Sequence, residues 1–273
     1  MKNFDMTRFV NLLKLDVSRN KRAYFFQFLS MLVAFLLVQF ALYYPLFKGY
    51  TYSPVQLRSV HENMFATFLL IEAIFSWVFI SNSFTFLNDK NRRINYFLLP
   101  ATNLEKFISR ILIHSLGMFV LSLFAFVLAD LTVIGVLSFL HISVQSVLPY
   151  SFHESLQSIS RGFELMFDHG TFVYGGFVTV TSILTYGMLI FSLYLFSSVL
   201  LRKHPFILMS FFIIIIFILL SMLVLDNVSG RMILVMFRNG GYMSLMFFGL
   251  TCVFTALSYR LFKRKGAINS TFF

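Results

Sequence analysis

The chain has one cysteine, Cys252, so no intrachain disulfide can form; the residue lies inside an apolar run, where a buried thiol is expected. Charge is scarce as well. Only 12% of the 273 residues are charged and 58% are apolar, whereas a soluble domain carries roughly a quarter charged residues. That shortage excludes an ordinary soluble domain and names lipid as the solvent for most of the chain. Acidic residues are half as numerous as basic ones, 11 against 22, for a formal charge of +11. A nucleic-acid binder would need a soluble face for such a charge, and here the basic residues lie between apolar runs, so no nucleic-acid partner is expected.

Catalytic signatures are missing too. There is no G-x-x-x-x-G-K-[ST] loop to cradle phosphates, no H-E-x-x-H pair to hold zinc and no G-x-S-x-G elbow to present a serine. His141, His153 and His169 stand at spacings that make no ligand set, and solvated loop histidines are the expected reading. No catalytic residue, metal or cofactor is therefore assigned to this chain.

What is present is apolar sequence in lengths that matter. A helix needs about 20 apolar residues to cross roughly 30 Å of hydrocarbon. Six runs qualify, at 23–42, 64–86, 111–140, 172–201, 205–225 and 242–262. The fifth contains Ile213 to Ile216 and almost nothing polar, which makes it the run expected to face lipid. Lys and Arg count about 17 before the first run, between the second and third, between the fourth and fifth and after the sixth, against about five in the alternate loops. Positive charge is retained on the cytoplasmic side, so an even number of spans with both termini inside is expected. The fold class is thus an all-α integral membrane protein with six transmembrane helices, forming a single domain over 1–273.

Residues 1–22 precede the first run without a cleavage site, and Met6, Phe9, Val10, Leu13 and Val17 recur there at helical spacing, as in an interfacial elbow helix. In the loop 141–170, Phe152, Leu156, Ile159, Phe163 and Met166 make a second amphipathic pattern. Two carboxylates fall inside apolar runs. Glu72 sits in the middle of the second, with Ser76 and Ser83 continuing its face, and the pair Glu72 and Ser76 is a candidate for a translocation path or a buried structural hydrogen bond. Asp130, near the outer end of the third run, reads as an interfacial carboxylate. Gly175, Thr179, Ser182 and Tyr186 line one side of the fourth run, as small residues do at helix contacts in lipid.

The densest signal is the loop 88–110, NDKNRRINYFLLPATNLEKFISR. Asn88 or Asp89 can cap a short helix whose Ile94, Phe97 and Leu98 share a face while Arg92 and Arg93 stay wet, and Leu99 before Pro100 ends it. Thr102 and Glu105 then form a capping box that starts a second helix leading into the third run.

This layout resembles the membrane subunits of type-two ABC exporters, and the stretch Tyr96 to Arg110 is similar to the Leu-Pro-Ala-Ser-x-x-Glu-Lys-Phe pattern of a bacterial subgroup, with Thr102 in place of Ser. The resemblance implies a permease in the bacterial cytoplasmic membrane that moves its substrate with a separate ABC ATP-binding subunit. ATP and magnesium would then belong to that partner, and a second permease copy or paralogue would complete the pathway. It also implies that Arg92, Arg93, Ile94, Phe97 and Leu98 form the docking helix, and that the segment from Arg231 to Gly241 is a re-entrant element. The runner-up is a membrane scaffold or sensor that uses the same loop to hold a cytoplasmic protein. Substrate identity does not follow from either.

Overall fold

The computed structural model describes residues 4–50, 52–142, 146–147, 149, 174–225 and 240–267. The predicted external amphipathic pattern from Phe152 to Met166 lies outside these residues, as does the predicted re-entrant element up to Asn239, while its Gly240 and Gly241 are helical. Among the described residues the chain is all-helical, with no strand. The elements are α1 (Met6–Phe47), α2 (Pro54–Asn82), a 3₁₀ turn (Thr85–Asn88), α3 (Lys90–Phe97), α4 (Asn103–Leu112), a π turn (Ile113–Gly117), α5 (Met118–Phe139), α6 (Tyr174–Leu200), α7 (Pro205–Leu225) and α8 (Gly240–Ala267).

Helix is what apolar sequence of this length must form in lipid, where every backbone N–H and C=O needs an internal partner. Punctuation comes from a few residues. Pro54 and Pro205 open α2 and α7 at the first helical position, where the missing N–H is no loss. Gly49, at φ +82°, closes α1 with paired bonds from Gly49 N–H to the Leu46 carbonyl and from Tyr50 N–H to the Pro45 carbonyl.

Among the described residues, four helices are long and apolar enough to cross a membrane: Met6–Phe47, Val55–Asn88, Asn103–Phe139 and Tyr242–Gly266. Leu184–Leu200 and Pro205–Leu219 are shorter apolar helices within the remaining two predicted runs. The predicted elbow and the first span are one unbroken helix of 42 residues. Its buried early positions are Phe9, Leu12 and Asp16, while Met6 and Val17 of the predicted apolar face are exposed. Cys252 is exposed on α8, a correction to the buried thiol expected from its apolar neighbours.

The described residues fall into two compact units. The first takes the start of α1 up to Leu13, the chain from Trp77 to His114, and α6 to α8. Its core stacks Phe84 on Phe107 at 5.4 Å between ring centroids, with Phe262 against both at 5.3 and 5.6 Å. Trp77, Tyr194 and Phe206 extend the aromatic packing. Here α6 and α8 share the most extensive helix contact, where the Ser182 and Ser244 hydroxyls lie 2.9 Å apart and Tyr186 meets Phe247 at 5.8 Å. Two of the small or aromatic positions predicted for a helix contact are thus in one. Most of α7 is exposed along its length, as its uninterrupted apolar sequence predicts.

The second unit comprises α1 from Lys14, α2 up to Ser76, and α5. One ring from each helix meets in its middle: Phe35, Phe68 and Phe126 have centroids 5.7, 5.5 and 4.7 Å apart. Each such ring pair adds roughly 0.5 to 1.5 kcal/mol beyond its area burial.

Candidate docking loop and buried carboxylates

In the first unit, the loop predicted to dock a partner is built as a helix, a turn and a second helix, each end closed by its own side chains. Asp89 is the N-cap of α3, its carboxylate accepting from the Asn91 and Arg92 N–H groups at 3.0 and 3.3 Å. Leu98 caps the C-terminus and Pro100 follows. At the start of α4 the Thr102 hydroxyl accepts from Glu105 N–H at 3.2 Å and the Glu105 carboxylate accepts from Thr102 N–H at 2.7 Å. That reciprocal box satisfies two donors that the helix start would otherwise leave unpaired.

Glu105 does more than cap. Its other oxygen accepts from Asp5 N–H at 2.8 Å and lies 3.4 Å from the Arg8 guanidinium, so it ties the start of α1 to the start of α4. Glu105 stands ahead of the apolar run and is fully buried. Burial alone would raise its pKa, but the Asp5 and Thr102 N–H groups and the Arg8 charge prevail and hold the carboxyl below the usual glutamate range.

The next residue, Lys106, is buried as well and donates to the Phe97 carbonyl at 2.9 Å, closing the last turn of α3. Burial pushes its ammonium down to about 8, against the opposing effect of Glu105. Tyr96 is buried beside it, and its hydroxyl donates to the Lys106 carbonyl at 2.8 Å. Arg110 lies over the Phe86 and Tyr96 rings at 4.6 and 5.3 Å. The two helices are therefore held by bonds on both sides of the turn, and α3 is braced against its own chain.

The five predicted docking residues separate into two groups. Leu98 is 74% exposed, and Arg92, paired with Asp89 at 3.4 Å, has 71% of its side chain exposed. Ile94 and Arg93 are half-buried, with Arg93 donating to the Leu87 carbonyl at 3.5 Å. Phe97 turns into its own chain, 5.2 Å from Phe262 and beside Gly266. Tyr96, Lys106 and the second role of Glu105 were not legible as functional positions: only the capping-box spacing pointed to Glu105, and nothing local pointed to Asp5.

In the second unit, Glu72 is 9% exposed and accepts from the Ser76 hydroxyl at 2.9 Å, so the predicted pair is joined. Its second oxygen is buried without a hydrogen-bond partner. Asp130, expected as an interfacial carboxylate, is fully buried within the protein. It accepts from the Ser146 hydroxyl at 2.6 Å and from Val147 N–H at 3.5 Å, anchoring the chain beyond α5. Tyr43, His61 and Gln39, one turn from Tyr43, are buried polar side chains of the same unit. Ser83, predicted to continue the Glu72 face, belongs to the first unit, where its hydroxyl donates to the Ile80 carbonyl at 2.7 Å.

Long apolar helices with buried carboxylates define an α-helical membrane protein. No family model, curated protein or solved structure matches the chain.

Proposed function

We propose that the chain is the membrane-spanning permease subunit of an ATP-driven ABC exporter, powered by a separate ATP-binding subunit. The observation that carries this reading is α3, a short helix fixed at both ends to its own chain while the Leu98 and Arg92 side chains are exposed. A helix so braced transmits a push from a partner, because its caps, Lys106 and Glu105 oppose local bending. In this reading nucleotide binding closes the partner's two copies, moves the docking helices and re-packs the spans so that a central cavity opens outward. ATP and magnesium sit on the partner, and this chain carries no hydrolytic step.

The reading includes six spans with both termini inside the bacterial cytoplasmic membrane, and a dimer of permease chains, since one chain would supply half of such a pathway. The positive-charge asymmetry of the loops supports the orientation. A reporter fused after Lys265 should be active only in the cytoplasm.

The deciding experiment is gentle extraction of the native complex followed by identification of its components. An ATP-binding protein should co-purify in equal amount with this chain. A complex that reproducibly contains another cytoplasmic protein and no nucleotide-binding subunit would overturn the transport reading in favour of a membrane scaffold.

A further inference from the structure

We propose that Arg93, Arg202 and Lys265 form a binding site for the phosphate of an anionic phospholipid headgroup. Three hydrogen bonds bring these residues to one junction of the first unit. Arg93 donates to the Leu87 carbonyl; the next residue, Asn88, donates to the Arg202 carbonyl at 3.0 Å; and the Lys265 ammonium donates to the Val199 carbonyl, just before α6 ends. None of the three has a carboxylate within 4.0 Å among the described residues. The mutual crowding registers on Lys265, beyond the last apolar run, whose pKa is lowered first by burial and then by the charges of Arg202 and Arg93.

A helix end explains one of these cations and not three. The C-terminus of α6 presents the equivalent of about half a negative charge, which the bond from Lys265 to Val199 already meets. Roughly two positive charges remain with no carboxylate partner among the described residues, and Arg93 Nε is without a hydrogen-bond partner there as well. Such a cluster selects an anion with several acceptor oxygens, and a phosphate fits a guanidinium fork better than a single carboxylate does.

Position points to lipid as the source. The junction lies where α6 stops at Leu200 and α7 begins at Pro205, so it marks the end of apolar sequence on both helices. Leu200, Ile207 and Leu208, at the facing ends of the two helices, are exposed, giving acyl chains an apolar surface at those helix ends. Clusters of basic residues at the ends of membrane helices attract anionic lipid by the same electrostatics.

The test is native mass spectrometry of the full-length protein, released from bilayers holding equal amounts of phosphatidylglycerol and phosphatidylcholine. The wild type should retain phosphatidylglycerol preferentially. Arg202→Gln should lower that preference about five-fold, and adding Lys265→Gln should lower it by a similar factor again. Lys265→Arg keeps the charge and should keep the preference, which separates loss of charge from loss of fold. Lys21→Gln with Arg22→Gln removes the same charge from the other unit and should leave retention nearly unchanged. Equal retention of the two lipids, or an equal loss in that control pair, overturns the site. Displacement of the retained lipid by inorganic pyrophosphate, sensitive to Arg202→Gln, would keep the phosphate chemistry but overturn the lipid as its source.

Discussion

Gly266 on α8 lies against the ring of Phe97 on α3 so closely that a Cβ at position 266 would stand 2.6 Å from Phe97 Cε1 and 2.9 Å from Cδ1. The glycine is what lets the loop helix seat on the last helix. Gly266→Ala should push the ring away from Phe262, a neighbour at 5.2 Å. Overpacking of this kind costs roughly 1 to 3 kcal/mol. Thermal unfolding in detergent should fall for Gly266→Ala. Gly249→Ala on the same helix, where nothing lies within 4 Å, should be neutral or slightly stabilising. Equal behaviour of the two variants would show that the contact does not matter.

That seating changes which side chain on α3 reaches a partner. Leu98, 74% exposed, is the apolar group that a docking protein would bury, and Phe97 is the group that holds the helix to its own chain. Leu98→Ala should leave unfolding within about 0.5 kcal/mol of wild type, as exposed sites do. It should weaken capture of the ATP-binding subunit. Phe97→Ala should instead cost on the order of 1 to 3 kcal/mol of stability, because a half-buried aromatic loses part of what a fully buried one would. A pull-down and a melting curve on each variant read the difference. The transport reading loses its docking element if Leu98→Ala binds and couples as wild type does.

Glu105 predicts a pH dependence. Its folded pKa lies below the ordinary glutamate value of 4.5, so the stability it contributes is fully present above that value. It is lost as pH falls through the lowered folded value. Acid should therefore loosen the junction of α1 and α4, seen as faster proteolysis near Arg8 below about pH 4.5. Glu105→Gln should remove that acid-sensitive part while lowering stability at neutral pH. Thr102→Ala should cost about 1 kcal/mol through the cap alone, with the pH response retained. An unchanged acid profile in Glu105→Gln would assign the loosening to another group.

How much of this was legible in the sequence depended on range. The capping box is a three-residue spacing, and Thr102 and Glu105 meet as that spacing predicts. Helix and membrane character came from apolar length, and the long helices follow it. The inward turn of Phe97 was not legible, because its cover comes from Phe262 and Gly266 in the last helix, and periodicity assigns a residue to a face without saying what packs there. The unbroken α1 was missed for a related reason. A change from amphipathic to uniformly apolar sequence looks like a boundary, yet no proline or glycine stands between Met6 and Leu42 to break the backbone. Asp130 was read as an interfacial carboxylate from its position along the run, and its burial against Ser146 and Val147 was not legible because those contacts come from beyond the helix.

Glu72 offers the sharpest division between a functional and a structural carboxylate. The Ser76 hydroxyl satisfies one oxygen at 2.9 Å, and the other is buried without a hydrogen-bond partner. A charge in mid-membrane costs roughly 2.5 to 3.5 kcal/mol on insertion scales, and one hydrogen bond recovers only part of it. If the carboxylate is kept for function and does not hold the bundle, replacing it with leucine of similar volume relieves that cost and leaves the protein at least as stable. Glu72→Leu should accordingly keep membrane abundance and raise or preserve the melting temperature. Under the proposed function the same variant should lower coupled ATP hydrolysis by the native complex. Glu72→Gln, which keeps the shape and an acceptor for Ser76, should show whether the charge or the hydrogen bond is required. Ser76→Ala tests the bond from the other side and should have the smaller effect, because the carboxylate would remain. A fall in abundance that matches the fall in activity across all three variants would make Glu72 structural and remove it from any pathway.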